Sequence, residues 1–143
     1  MTVIFSKKCE IGLQAVLFLS TEKTGHLFNA GKVAAQVKQP KEFVSKMLQL
    51  LTPSGIIGSK KGKNGGFYLA RQPENIRLID IVEAIDGLDV FSNCMLGFPD
   101  CSKEEPCPVH DKWGKLRDEA YKMLSEETIE ELKEKSLSKI KSL

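Results

Sequence analysis

No stretch of this 143-residue chain is apolar for anything near the ~18 residues that a membrane span needs. The longest run near the start is Ala15-Val16-Leu17-Phe18-Leu19, so no transmembrane helix is expected. The opening residues, MTVIFSKKCE, lack the apolar core of a signal peptide, which argues against secretion and for a cytoplasmic protein. There is no Cys-x-x-Cys pair and no cofactor-binding glycine fingerprint. A thiol redox enzyme or small electron carrier therefore has little support, and no enzyme is expected. Internal repeats and low-complexity tracts are also missing. What is left is one domain, or one small domain with an added arm.

What the chain does have is unevenly placed charge. Its net charge is only +2. Residues 1–71 hold eleven Lys and Arg against three Glu, which is +8, while residues 72–143 hold ten bases against sixteen acids, which is −6. A basic first half joined to an acidic second half suggests that only the first half faces a polyanion.

The helical periods fall in short blocks. Ser6 is placed to cap a helix to about Leu19, with apolar residues nearly all round it, so that this helix should be buried. Cys9 in its first turn reads as a small buried hydrophobe. His26 reads as an ordinary surface or loop histidine. A short helix from Asn29 or Ala30 to Val37 is followed by Lys38-Gln39-Pro40, with Pro40 suited to the first position of the next helix, Pro40 to Leu51. That helix turns Phe43, Val44, Met47, Leu48 and Leu51 inward, and Lys41, Glu42, Ser45, Lys46 and Gln49 outward. Two short helices across a tight turn read as a helix-turn-helix. Strands at Ile56-Ile57 and Phe67 to Ala70 flank a glycine-rich tip carrying Lys60, Lys61, Lys63 and Asn64. A basic hairpin directly after a helix-turn-helix reads as a wing that contacts phosphate or the minor groove.

Another helix is expected from Ile76 to Ile85, ending at Asp86-Gly87, and a long one from Val109 to about Leu124. A last helix, capped by Ser125, would carry Ile129, Leu132, Leu137, Ile140 and Leu143 on an apolar stripe with little of its own domain to cover it. A second copy of the chain is the simplest cover, and packing back on the first helix the alternative. The expected fold is mainly α with a small β-hairpin: a winged helix-turn-helix over 1–87, a cysteine loop over 88–108, and dimerisation helices over 109–143.

Between the last two expected parts lies NCMLGFPDCSKEEPCPVH, residues 93–110. Three of the four cysteines are here, with His110 at the end and three prolines that forbid regular structure. The spacing is Cys94-x6-Cys101-x5-Cys107-x2-His110. It is wider than the Cys-x2–4-Cys knuckles of structural zinc sites. An iron–sulfur cluster suits it best, with zinc or a bare thiol switch as alternatives.

The whole chain resembles the Rrf-type (Rrf-two) winged-helix transcription regulators, which include iron–sulfur members of the IscR-like and NsrR-like kinds. The likeness lies in Ser6-Lys7, in the helix from Pro40 to Leu51, and in the wing KGKNGGFYL at 61–69. It continues in DIVEAI at 80–85 and in the three-cysteine loop followed by a long helix. The resemblance implies a homodimer on double-stranded DNA, with Gln39, Lys41, Glu42, Ser45, Lys46 and Gln49 on the recognition helix and Lys60, Lys61, Lys63 and Asn64 on the wing. It implies a 2Fe–2S or 4Fe–4S cluster on Cys94, Cys101 and Cys107. The fourth ligand is His110 by one branch of the family, or Glu10 of the second subunit by the other. The cysteine spacing departs from the usual pattern by one residue between the first two. The expected function is a DNA-binding regulator sensing redox state, nitric oxide or iron–sulfur status, against a cluster-free regulator with a zinc or thiol loop.

Overall fold

The first helix, α1 (Lys7–Leu19), runs through the middle of the molecule. The Ser6 hydroxyl accepts from the Cys9 N–H at 3.1 Å, the cap expected from the sequence. Cys9, Ile11, Ala15, Val16 and Leu19 are all buried. Helices α2 (Ala30–Val37), α3 (Lys41–Leu50), α4 (Leu78–Ile85) and α6 (Ile129–Lys141) pack against α1. Helix α5 (His110–Glu126) lies beside α4 instead. The computed structural model describes residues 5–94, 96, 98 and 106–141, and Cys101 falls outside them. Gly12 lets α4 come close: a Cβ there would lie 2.3 Å from the Ile85 side chain.

The turn between α2 and α3 is built from local signals. Asn29 caps α2 through its side-chain oxygen, which accepts from the Lys32 N–H at 2.8 Å. Lys38 ends α2 in the left-handed region at φ 54°. Pro40 takes the N-cap of α3 rather than its first helical position, with ψ 140°, and the helix begins at Lys41. Val44, Met47, Leu48 and Leu51 are buried in the common core, as their spacing predicted, and Phe43 packs partly buried against it.

Strands β1 (Ile57–Lys60) and β2 (Gly66–Leu69) pair antiparallel, with Ile57 opposite Leu69 and Lys60 opposite Gly66. β1 starts one residue later than expected and runs on through Lys60, which was expected in the tip, and β2 starts and ends one residue earlier. Phe28 adds a single bridge to Phe67, exchanging N–H···O bonds of 2.8 and 2.7 Å. Gly66 makes that approach possible, since a Cβ on it would stand 2.1 Å from the Phe28 carbonyl oxygen. At the base of the hairpin, Arg71 donates to the Ser54 carbonyl at 2.7 Å and lies 3.5 Å from the Asp80 carboxylate, tying the wing to α4.

The end of the chain departs from expectation. Helix α5 runs past Ser125 to Glu126, and Glu127 then turns extended. Thr128, not Ser125, caps the last helix, its hydroxyl accepting from the Glu131 N–H at 3.2 Å. The extended residues 127–129 zip against 76–78: Leu78 N–H donates to Glu127 O (3.1 Å) and Ile129 N–H to Ile76 O (2.8 Å). Helix α6 is thereby laid on α1, and Ile129 is 0% exposed. Of the stripe expected on this helix, Ile129 is covered from within the chain, because the two-bond zipper sets the start of α6 against the core; Leu137, Ile140 and Leu143 lie outside the described side chains. Among the described residues, α5 carries three exposed apolar side chains: Leu116 is 58% exposed, Met123 53% and Tyr121 43%. The expected α4 is also shortened at its start, because residues 73–75 form a 3-10 turn and Arg77 takes the N-cap.

Truncating Ile129 to Ala should cost about 2–5 kcal/mol of stability, the usual range for a fully buried branched side chain. Urea unfolding of the variant checks this, and a loss under ~0.5 kcal/mol would mean that α6 is not docked as described.

Candidate functional site

Two surfaces gather the residues singled out from the sequence. The first is basic. On α3, Lys41, Glu42, Lys46 and Gln49 are exposed and Ser45 is half-buried, with Gln39 half-buried in the turn before them. Positions 42, 45, 46 and 49 follow helical spacing, so they form one face opposite the buried Val44, Met47 and Leu48. Beside this helix the hairpin tip carries Lys60, Lys61, Lys63 and Asn64, all exposed. Among the described residues, none of Lys41, Lys46, Lys60, Lys61 and Lys63 has an acidic partner within ion-pair distance. Their charge is thus available to a phosphate backbone.

The second surface is the cysteine pocket. Beyond α4, a short 3-10 turn (Asp89–Phe91) is held to α5 by a T-shaped ring pair, Phe91 on Tyr121, with centroids 5.3 Å apart. Asn93 follows. Its carbonyl accepts from Trp113 Nε1 at 3.2 Å and from Arg117 Nη1 at 3.3 Å, both on α5. This clamp places the next residue, Cys94, against the start of α5. There the Cys94 thiol donates to the Cys107 sulfur at 3.5 Å, both half-buried and not joined by a disulfide. The pocket, of about 10 Å³ and so with room for about one water, is lined by these two cysteines together with Ser92, Asn93, His110, Trp113 and Arg117.

Cys94 and Cys107 are the described thiols that a sulfur-bound metal or cluster would use. Two thiolates on one tetrahedral metal with ~2.3 Å bonds stand about 3.8 Å apart. The observed 3.5 Å is near that edge. Arg117 Nε is buried with no hydrogen-bond partner, so the lining holds an N–H that an anionic, sulfur-bearing group would satisfy. The donors fit. Among the described residues, which include Cys94, Cys107 and His110, no group of three His, Cys, Asp or Glu side chains is placed to hold a metal ion, and the expected ligand Cys101 lies outside those residues. His110 sits in the pocket lining. Glu10 does not line it in its own chain; its carboxylate is 3.6 Å from the Lys7 ammonium.

Cys9 stays apart from this chemistry. It is 0% exposed inside α1, and burial, helped by the Asp86 and Glu10 charges, pushes its thiol from 9.0 up to about 12. His26 is exposed and packs edge-on to the Phe28 ring.

The sequence model of the Rrf2 family, described as iron-dependent transcriptional regulators, matches residues 5–135. The chain belongs to the Rrf2 family. A protein of Aquifex aeolicus described as an HTH-type transcriptional regulator is 31% identical over 132 residues, covering 91% of each chain. Among solved structures, CymR, the global cysteine regulator of B. subtilis, superposes with a TM-score of 0.75 at 20% identity, over 93% of this chain and 98% of that one. IscR of T. potens superposes with a TM-score of 0.72 at 21% identity, over 95% of this chain and 88% of that one. At those identities the two structures speak to the fold. This Rrf2 protein is a transcription regulator with a DNA-binding winged helix, not an enzyme. Among the described residues, no helix is long and apolar enough to cross a membrane.

Asn93, Trp113 and Arg117 were missed from the sequence. The signal was there in part: His110, Trp113 and Arg117 recur at helical spacing and share one face of α5. Their target, a backbone carbonyl some twenty residues earlier, leaves no mark in the side-chain pattern.

Iodoacetamide at pH 8 should alkylate Cys94 and Cys107 in the native metal-free protein and leave Cys9 untouched until denaturant is added; peptide mass mapping reads the three sites. The native state holds the Cys9 proton to about pH 12 while the unfolded chain releases it near 9.0, so the native form binds more protons in between. Stability should therefore be level below pH 9 and fall as pH rises through that window, with a shallower fall in Cys9→Ala.

Proposed function

We propose that this Rrf2 protein is a homodimeric DNA-binding regulator that reads redox state, nitric oxide or iron–sulfur supply through an iron–sulfur cluster on Cys94, Cys101 and Cys107. The observation that carries the reading is the pair of cysteine sulfurs 3.5 Å apart, in a pocket that also holds His110 and a buried unpartnered guanidinium N–H. His110 is the fourth ligand we favour, because it already lines the pocket; Glu10 would have to come from the second subunit. A cluster bound there would supply a centre sensitive to oxidants and to nitric oxide.

The chain's own residues would do the rest. Lys41, Glu42, Ser45, Lys46 and Gln49, with Gln39 at the turn, face the major groove. Lys60, Lys61, Lys63 and Asn64 hold the neighbouring backbone. Two copies joined through the exposed Leu116, Tyr121 and Met123 of α5 would set their α3 helices in successive grooves, about 34 Å apart. Trp113 and Arg117, on the same helix, grip the start of the cysteine loop, so a change in the loop bears on the helix that joins the copies. The same short sulfur separation favours a second reading, in which Cys94 and Cys107 form a reversible disulfide without a cluster.

Lys46→Ala and Lys61→Ala should each weaken binding to double-stranded DNA. Each should also lower the magnitude of the log K against log salt slope by about 1 in a titration series. Protein purified without oxygen should be coloured, with iron and acid-labile sulfide in near-equal amounts. The colour should vanish in a Cys94→Ala, Cys101→Ala, Cys107→Ala variant. Colourless protein under full iron supply, with a Cys94–Cys107 disulfide forming in air, would sink the cluster reading in favour of the thiol switch.

A further inference from the structure

The basic hairpin is held unevenly. Its inner side chains Ile57, Phe67 and Leu69 are buried in the core. Strand β2 is also bonded along its outer edge: Gly25 N–H donates to Leu69 O at 3.0 Å, and Phe28 exchanges bonds with Phe67. Strand β1, among the described residues, pairs only with β2. Its side of the hairpin hangs from the turn that follows α3, residues 51–56.

One guanidinium closes that side. Arg71, just past β2, donates through Nη2 to Ser54 O at 2.7 Å, in the turn before β1. Its Nη1 donates to Asn75 O at 3.4 Å and lies 3.5 Å from the Asp80 carboxylate. The turn after α3, both ends of the hairpin and α4 therefore meet at a single planar fork. A lysine, with one nitrogen on a flexible stem, could not span acceptors on both sides. Asp80 also balances the charge of Arg71, so this cation is not offered to phosphate as the lysines of α3 and the tip are.

We infer that Arg71 is a positioning residue for DNA binding, setting the angle between α3 and the wing so that both reach one duplex. This rests on the DNA-facing roles given above to Lys46 and Lys61. The tip lysines meet the backbone while α3 meets the major groove, and the double helix fixes the spacing between the two. A hairpin that rocks about its base meets the backbone with fewer lysines, and fewer counterions are released on binding. Arg71 acts on the DNA through the wing, not by touching it.

The test is a double-mutant cycle on the full chain, with a duplex that the wild type selects from a randomised library. Affinity is followed against salt for Arg71→Met, Lys61→Ala, Lys46→Ala and each lysine change combined with Arg71→Met. Lys61→Ala alone should lower the magnitude of the salt slope by about 1. In the Arg71→Met background most of that effect should be gone, because the wing no longer holds the backbone. Lys46→Ala should weaken binding by the same factor in both backgrounds, as independent sites do. A Lys61→Ala effect as large with Arg71→Met as without it overturns the inference. So does an equal loss of both lysine effects, which a general loosening of the domain would give. A wild type that selects no duplex, or one in which Lys61→Ala costs nothing, sinks the DNA-facing reading itself and Arg71's role with it. Should Arg71→Met fail to fold, Asp80→Asn takes its place: Asn can still accept from the Arg77 N–H at the start of α4 but gives up the ion pair with Arg71. Losing an acid should by itself tighten DNA binding. A positioning role shows instead as a smaller Lys61→Ala effect in Asp80→Asn, and an undiminished one refutes it.

Discussion

The structure depends on α1 being buried on nearly every side. A helix that is apolar around most of its circumference has no face for solvent, so other elements must surround it. Helices α2 and α3 cover one flank, α4 another, and α6 returns from the far end of the chain to close the third. The DNA-facing α3 and the last helix are thus both seated on one common core, although 78 residues separate Leu50 from Ile129. The same helix begins at Ser6, whose backbone N–H donates to Asp86 at 2.8 Å and whose hydroxyl also bonds that carboxylate. Asp86 is the C-cap of α4, directly ahead of the cysteine segment. The start of α1 and the approach to the cysteine pocket are therefore one joined unit.

Two clamps frame that unit. At one end Arg71 links the base of the wing to Ser54, behind α3, and to Asp80 on α4. At the other, Trp113 and Arg117 hold Asn93 against α5. Between them runs α4, eight residues long, in contact with α1, α3 and α5.

The local features were readable because their causes are local. Ser6 and Asn29 cap helices through their own side chains, and the residues that bury on α3 repeat every three or four positions. The basic wing was plain from glycines and lysines lying together. An apolar stripe on the last helix says that something covers it, not what. Its start was misplaced for a related reason: Ser125 and Thr128 can both cap, and the choice fell to Thr128 once residues 127–129 paired with 76–78. Part of the cysteine site was visible as thiols and an imidazole. Its arginine and tryptophan were not, because they act on a main-chain carbonyl that any residue at position 93 would offer.

By itself the sequence determined the helix-turn-helix, the charged wing, the buried α1 and the presence of three thiols and a histidine in one loop. Each follows from side-chain type at short spacing, where capping, periodicity and turn preference act. Tertiary structure alone decided that the start of α6 closes the core while Leu116, Tyr121 and Met123 of α5 stay exposed. It also decided that Cys94 meets Cys107 across thirteen residues beside a buried cation. Those outcomes rest on contacts between distant segments, and such contacts are settled by which surfaces the whole chain has left to bury.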